Sequence, residues 1–183
     1  MKIVILDGTE QENCYEKILK DMFADDNQFS YFKLKDMSIQ PCRSCGACGI
    51  KSPGKCIIND EIHPIMKAFA KGEIIVFMTP VRFGGYSSQL KKAIDRFMPL
   101  GMPLYMVKGG HLLHPMRYGS KHIIGIGIIE ENIPNQEDNF KELVSKNALN
   151  MSSTYEVLLL NPQDSVEKAV NELKVLLKEQ NRI

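Results

Sequence analysis

The sequence predicts an α/β fold in which a doubly wound parallel sheet carries helices on both faces. Strand-like and helix-like segments alternate along the chain, which is typical of this class. The strand-like runs are apolar throughout rather than at every second residue, as expected for strands buried on both faces. With 183 residues, 44% of them hydrophobic, the chain is long enough for one full core. We therefore expect a single domain over residues 1–183.

Five short runs predict the strands of this sheet. They are 2–6, 29–34, 73–78, 122–129 and 155–160. The third run, Glu-Ile-Ile-Val-Phe-Met, is the clearest buried strand, and the fourth contains Gly125 and Gly127.

Five segments with apolar residues three and four positions apart predict the helices. They are 13–23, 61–71, 87–98, 135–150 and 166–178. Residues 99–120 contain prolines and glycines and have no periodicity. Long connections of this kind are usually functional, so we expect a lid or a subunit interface there.

The composition argues against several partners. Twenty-three basic and 22 acidic residues give a net charge of +1, without the excess of positive charge that nucleic-acid binding requires. No apolar run is long enough to span a bilayer. The short apolar run at the N-terminus is ended by Asp7 and lacks the features of a signal peptide. We therefore expect a cytoplasmic protein with no nucleic-acid or membrane partner.

This alternation favours the flavodoxin-like strand order 2-1-3-4-5. Ligands of such sheets bind beyond the carboxyl ends of the strands, where strands 1 and 3 diverge. Two loops meet there, residues 7–13 after the first strand and 79–86 after the third. A cysteine-rich loop, residues 41–59, follows the second strand and emerges at the same edge.

Four cysteines in this loop have the spacing Cys42-x2-Cys45-x2-Cys48-x7-Cys56. Thiolates two residues apart can converge on one metal centre, and three at this spacing with a fourth nearby suggest the ligands of a [4Fe–4S] cluster. A zinc site and four unoccupied thiols remain alternatives.

The two other loops are candidates for holding a flavin. After the third strand, glycines allow a flat ligand to approach the backbone, aromatic rings can pack beside it, and Arg82 can stabilise a reduced anion; a plain βα connection is the alternative. The candidate ring-binding residues are Thr79, Pro80, Val81, Arg82, Phe83, Gly84, Gly85 and Tyr86.

The loop after the first strand is the candidate phosphate site. Gly8, Thr9 and Asn13 suit a phosphate, and the following helix N-terminus supplies N–H donors. Glu10 and Glu12 would repel the dianion. They motivate an alternative, a flavodoxin-like redox or metal sensor that has lost FMN and uses the cysteine loop.

Two motifs also carry a family resemblance. The first is Pro-Cys-Arg-Ser-Cys-Gly-Ala-Cys at 41–48 with Gly-Lys-Cys-Ile-Ile-Asn-Asp at 54–60, and the second is Thr-Pro-Val-Arg-Phe-Gly-Gly-Tyr-Ser-Ser-Gln-Leu-Lys-Lys at 79–92 with Asp95-Arg96. Together they resemble the iron–sulfur flavoproteins and their NADPH-dependent FMN reductase-like relatives. The resemblance implies a flavodoxin-like fold, non-covalent FMN and homodimers or homotetramers. Some members pass electrons between a [4Fe–4S] cluster and FMN, whereas others keep the cysteines without a cluster.

We therefore expect an FMN-dependent oxidoreductase or electron carrier, reduced by NAD(P)H or through the cluster. Cys42, Cys45, Cys48 and Cys56 would be the metal ligands. The flavin carries the chemistry, so we expect no catalytic acid or base from the chain. A small molecule or a redox protein would be its partner. A cluster-free NAD(P)H-dependent FMN or quinone reductase is a further alternative.

Overall fold

A computed structural model describes residues 2–10, 14–22, 29–161, 171–172 and 175–176. Its strands are β1 (Ile3–Asp7), β2 (Phe29–Lys33), β3 (Ile74–Pro80), β4 (Met106–Lys108), β5 (His111–Leu113), β6 (His122–Ile128) and β7 (Thr154–Leu160). Five of them form a parallel sheet in the order β2-β1-β3-β6-β7. This is the flavodoxin-like order that the sequence predicts, and it is confirmed.

Four of the described helices follow predicted segments, namely α1 (Cys14–Met22), α3 (Ile62–Lys71), α4 (Ser88–Asp95) and α5 (Gln136–Asn150). A short helix that the sequence analysis did not predict, α2 (Ala47–Ile50), lies within the cysteine-rich loop. Most of the predicted last helix lies outside the described residues, but 171–172 and 175–176 are helical. The predicted third helix ends earlier than expected, at Asp95, and the chain tightens into a 3-10 turn over Met98–Leu100. Pro99 explains this change, because it cannot donate within a continuing helix.

Side chains from each strand alternate between two apolar cores, one on each face of the sheet. Ile3, Ile5 and Val76 face the core that contains Leu19 of α1. Val4, Leu6, Phe77 and their neighbours face the core formed with α3, α4 and α5. All seven residues of β3 are buried, which is why this strand is apolar along its whole length. None of the described helices is long and apolar enough to cross a bilayer.

The segment 99–120 contains an antiparallel hairpin that the sequence analysis did not predict. β4 pairs with β5, and Val107 lies opposite Leu112. Gly109 and Gly110 connect them with φ of 56° and 79°, the backbone that a two-residue hairpin turn requires. Several large apolar side chains of this segment are exposed, namely those of Leu104, Tyr105, Val107, Leu112 and Tyr118.

Candidate functional site

The loop between β3 and α4 makes a tight turn at the carboxyl edge of the sheet. The Arg82 amide donates to the Gly85 carbonyl (3.0 Å), and the Gly85 amide donates to the Arg82 carbonyl (2.8 Å). Phe83 and Gly84, at the tip, have φ of 51° and 78°, so this is a type I′ turn with phenylalanine in a left-handed conformation. The Phe83 side chain is 84% exposed. The amides of Phe83 and Gly84 donate to none of the described residues.

Several of the predicted ring-binding side chains of this loop are instead buried. Thr79 accepts a hydrogen bond from the Ser87 amide (2.9 Å), and Pro80 and Val81 are also buried. Tyr86 packs edge-on against Phe77 and Phe140, and its burial raises the pKa of its hydroxyl. These side chains anchor the loop to the core and do not form its exposed surface.

Gly84 is also buried, and α5 packs so closely against it that a larger residue would not fit. A Cβ there would lie 2.5 Å from the Cβ of Asn139. The surface of the loop is therefore formed by Arg82 and Phe83, with Gly85 half-buried. Arg82 forms an ion pair with Glu130 (2.8 Å), a residue that the sequence analysis did not single out. Glu130 comes directly after the predicted fourth strand, and this position is the signal that could have identified it.

A buried polar network occupies the carboxyl end of β1. Asp7 Oδ1 accepts from the amide (2.8 Å) and the hydroxyl (2.7 Å) of Thr9. Asp7 Oδ2 accepts from Lys33 Nζ (2.6 Å) and from the Tyr31 hydroxyl (2.5 Å). Lys33 Nζ also donates to Thr9 Oγ1 (2.8 Å) and pairs with Glu16 Oε2 (3.0 Å). Both donors of Thr9, a predicted phosphate ligand, are thus bound to Asp7.

These contacts shift the ionisation of the two donors from β2. Burial lowers the pKa of Lys33, but hydrogen bonds to Asp7 and Glu16 raise it by more, so it lies above its ordinary value. Burial, and then the Asp7 carboxylate, raise the pKa of Tyr31. Lys33 therefore stays charged and Tyr31 neutral over the ordinary pH range.

Gly8, another predicted phosphate ligand, packs against the start of α4. Its amide donates to the Met78 carbonyl (2.8 Å), and its carbonyl accepts from Ser87 Oγ (2.7 Å). A Cβ at Gly8 would lie 2.6 Å from Ser87 Oγ and 2.7 Å from the Cβ of Leu90. Glycine therefore lets α4 approach β1 closely. Asn13, the third predicted phosphate ligand, lies outside the described residues.

The four cysteines of the segment 41–59, here called the cysteine segment, all line one cavity of about 520 Å³. Cys42 and Cys45 are exposed, whereas Cys48 and Cys56 are half-buried. Burial raises the pKa of the Cys48 thiol, and the nearby Cys56, Cys45 and Cys42 raise it further. In the described part of the chain, no three Cys, His, Asp or Glu side chains converge as metal ligands. The fold thus collects the four thiols around one space, without placing them in a ligand geometry.

The chain that follows α4 forms another wall of this cavity through Arg96, Met98 and Pro99. Arg96 is 1% exposed. Its Nη1 donates to the Gln40 carbonyl (2.7 Å) and Asp60 Oδ2 (2.9 Å), and its Nη2 donates to the Ile58 carbonyl (3.3 Å) and Asp60 Oδ1 (3.1 Å). Arg96 thus ties together the two ends of the cysteine segment.

The sequence analysis did not anticipate a link between Asp60 and Arg96. Asp60 also accepts from the amides of Gln40 (2.9 Å) and Ile62 (3.2 Å). Burial raises the pKa of Asp60, but Arg96 and these amides lower it by more, so it lies below its ordinary value. Burial lowers the pKa of Arg96, but Asp60 and then Cys56 raise it. Asp60 and Arg96 each lie in one of the two family motifs, and this position is the signal that could have identified them as site residues. No pattern in the sequence pairs the two residues with each other.

The two candidate sites offer different donors, and each set suits a different cofactor. Four thiols beside a buried arginine suit an anionic iron–sulfur cluster. The exposed ring of Phe83 and the two turn amides, which donate to none of the described residues, suit a flat, polar-edged flavin ring. On the phosphate side, a ligand would have to compete with Asp7 for the Thr9 donors.

Comparison with known proteins agrees with these features. The family model of the NADPH-dependent FMN reductases matches residues 1–114. An iron–sulfur flavoprotein of Methanocaldococcus jannaschii is 40% identical over 70 residues, which cover 38% of this chain and 35% of that protein. An iron–sulfur flavoprotein of Methanosarcina thermophila is 29% identical over 118 residues, 59% of this chain and 58% of that protein. These matches span well under two thirds of either relative.

Solved structures with the same fold cover nearly the whole chain. The azoreductase AzrA superposes with a TM-score of 0.63 at 13% identity, covering 98% of this chain and 96% of that one. A FMN-dependent NADH-azoreductase from Bacillus anthracis, solved in complex with FMN, superposes with a TM-score of 0.59 at 15% identity, covering 97% and 99%. At such identities the likeness concerns the fold. Because the family model matches 114 of the 183 residues, the chain belongs to the NADPH-dependent FMN reductase family.

Proposed function

We propose that this chain is an FMN-dependent oxidoreductase that takes electrons from NAD(P)H and passes them between FMN and a [4Fe–4S] cluster. FMN would lie at the β1/β3 edge of the sheet, and Cys42, Cys45, Cys48 and Cys56 would hold the cluster. One observation carries the proposal: all four cysteines line a single cavity in a member of an FMN reductase family. Both cofactors supply redox chemistry that side chains lack, and the protein positions them.

The turn at Arg82–Gly85 would hold the flavin ring. The amides of Phe83 and Gly84, which have no acceptor in the described part of the chain, would donate to the polar edge of the ring, and the exposed Phe83 side chain would offer an apolar face. The Arg82 cation would stabilise the anionic form of the reduced ring. Its ion pair with Glu130 would limit this stabilisation, because part of the charge is already neutralised. The buried Thr79, Pro80, Val81 and Tyr86 would act by fixing this turn.

On the phosphate side, Gly8, Thr9 and Asn13 remain the proposed ligands. Since the Thr9 amide and hydroxyl both donate to Asp7, we expect the phosphate to bind less tightly than it would to free donors. The same contacts favour the alternative of a sensor without FMN. Stoichiometric FMN in the purified protein would exclude that alternative.

Helix α4 connects the two proposed cofactor sites. Ser87, which caps its first turn (3.3 Å to the Leu90 amide), also donates to the Gly8 carbonyl. At its other end, Arg96 holds the cysteine segment. An eight-residue helix is about 12 Å long, so the two sites are attached to opposite ends of one short rigid element.

We further propose that the chain is a single domain that works in the cytoplasm as a homodimer or homotetramer. The hairpin of β4 and β5 and the residues just before it support self-association, because Leu104, Tyr105, Val107 and Leu112 are exposed there. Exposed apolar clusters commonly mark interfaces. The redox partner would be a small molecule or another redox protein.

The second candidate function is a cluster-free FMN reductase. The exposure of Cys42 and Cys45 favours it, as does the lack of a converged ligand set among the described residues. The two candidates differ in iron content, not in flavin content.

The test is anaerobic purification, followed by assay of flavin, iron and acid-labile sulfide per chain. The proposal expects one FMN with about four irons and four sulfides. Cys48→Ser should lose the iron and keep the flavin, while Cys14→Ser, outside the cysteine segment, should keep both. FMN without iron would establish the cluster-free reductase, and neither cofactor would favour the sensor.

A further inference from the structure

Arg96 has a buried donor that is left unused by the described part of the chain. Both of its terminal nitrogens are hydrogen-bonded, to Gln40, Ile58 and Asp60. The third nitrogen of the guanidinium, Nε, is also buried, and it has no hydrogen-bond partner among the described residues. Buried donors are rarely left without an acceptor, and those that are point to a ligand, an ion or a water.

The surroundings of Arg96 indicate what kind of acceptor is missing. The residue lines the cavity that contains all four cysteines. Asp95 also lines this cavity, but it is exposed and forms an ion pair with Lys91 (2.5 Å). Arg43 is exposed and donates to the Gln40 side chain (2.8 Å). Arg96 is therefore the buried cation among the residues that line this cavity. The missing acceptor of its Nε–H is expected to be an anionic group held by the cysteine sulfurs.

We propose that Arg96 is the positioning residue of the cysteine segment, and that its Nε–H donates a hydrogen bond to a sulfur atom of the cluster and so raises the cluster's reduction potential. This inference rests on the cluster proposed above. Reduction adds one electron to an already anionic group, and a nearby cation and donor stabilise the more negative state. Removal of Arg96 should therefore make the potential more negative.

A purely structural clamp would behave differently. Arg96 holds the carbonyls of Gln40 and Ile58, so its loss should also loosen both ends of the segment and lower cluster occupancy. A clamp alone would change the amount of cluster but not the potential of the cluster that remains. The potential therefore distinguishes a residue that acts on the sulfur from one that only shapes the loop.

The experiment is an anaerobic redox titration of the intact holoprotein, followed by the electron paramagnetic resonance signal of the reduced cluster. For Arg96→Gln we expect about a tenfold loss in the relative stability of the reduced form, which is about 59 mV more negative for a one-electron couple. Arg96→Lys keeps the charge, so its shift should be smaller. Arg43→Gln removes an exposed charge at the same cavity and should leave the potential nearly unchanged, since solvent screens it.

Iron content and potential separate the possible failures. If wild type contains no iron, the proposed cluster is wrong and the role of Arg96 falls with it. If wild type contains the cluster and the Arg96 variants keep its potential, only the present inference is overturned. If Arg96→Gln does not fold or holds no iron, Arg96→Lys decides, because it keeps the charge and removes the Nε–H donor. Its potential should still be more negative than that of wild type, and an unchanged potential overturns the proposal.

Discussion

The carboxyl end of β1 and the C-terminal border of the cysteine segment each have a buried carboxylate beside a cation. Asp7 lies 2.6 Å from Lys33 Nζ, and Asp60 lies 2.9 Å from Arg96 Nη1. Around Lys33 the three ammonium donors have three acceptors, on Asp7, Glu16 and Thr9. Around Arg96 one donor, Nε, has no acceptor among the described residues. Among the residues that the structure describes, the first network is complete and the second is not.

This difference separates two roles of buried charge. A network whose donors are all used specifies local structure and gains nothing from a ligand. A network with an unused donor pays a desolvation cost until a ligand supplies the acceptor. The comparison therefore favours a structural role for Asp7 and Lys33, although they lie where a flavin phosphate was expected, and agrees with the role proposed above for Arg96.

The largest expected effect is at Asp7. Asp7→Ala removes one of the two carboxylates that pair with Lys33, whose side chain is 9% exposed, and breaking such a pair costs about 3–5 kcal/mol. The free energy of unfolding, measured by urea denaturation of the flavin-free protein, should fall by that amount. Glu10→Gln, at an exposed neighbour, should stay within about 0.5 kcal/mol of wild type. An unchanged midpoint for Asp7→Ala would mean that this network is not structural.

The next effect is the acid sensitivity of the Asp60–Arg96 pair. The pKa of Asp60 is lower in the folded chain than its ordinary value, so the unfolded chain binds more protons as the pH falls. The pair therefore stabilises the fold at neutral pH, and this contribution is lost as the pH drops through and below the ordinary aspartate range.

Asp60→Asn tests this dependence, because the other carboxylates titrate in both proteins. The variant should be about 2 kcal/mol less stable at neutral pH, the scale of a hydrogen bond to a charged group. The gap between variant and wild type should narrow between pH 6 and pH 3, as followed by denaturation at each pH. A gap that stays constant with pH would show that Arg96 does not hold Asp60 in its charged form.

A smaller effect is expected at Phe83, where the chain is strained rather than charged. A phenylalanine with φ of 51° costs about 1 kcal/mol or more, whereas asparagine tolerates this conformation. Phe83→Asn should therefore raise stability by about 1 kcal/mol and weaken FMN binding about fivefold through the lost ring contact.

Gly84→Ala is the matched control for Phe83→Asn. Its Cβ would meet Asn139 at 2.5 Å, so it should lower stability and FMN binding together. Thermal melts of the apoprotein and flavin fluorescence titrations separate the two behaviours. If Phe83→Asn binds FMN as tightly as wild type, the exposed ring does not contact the flavin.

The sequence was informative where a property repeats along one element. The strands were predictable because burial on both faces makes them apolar, as in β3. The hairpin of β4 and β5 was missed because each strand has three residues, too few to show a period. The pairing of Asp60 with Arg96 spans 36 positions, and no local pattern encodes it.

The candidate ring-binding site shows the same limit. Tyr86 in a glycine-containing loop suggests a ring contact, yet its side chain is buried between Phe77 and Phe140. That outcome depends on how α5 packs on the sheet, which short motifs do not report. That four thiols meet at one cavity was predictable, because the spacing of the cysteines is local. Its buried cation was not, because the tertiary fold supplies it.

The smallest expected effect is on FMN affinity when Glu10 is substituted, and it tests whether the FMN phosphate binds at the β1 edge. Glu10 is exposed and follows Thr9 directly, so its charge should repel a bound phosphate by an amount typical of exposed pairs. Glu10→Gln should tighten FMN binding about threefold at low ionic strength, and salt should reduce the gain. Riboflavin, which lacks the phosphate, should bind wild type and variant equally. An equal gain for riboflavin would mean that Glu10 acts through the shape of the loop, and the β1 edge would then not be a phosphate site.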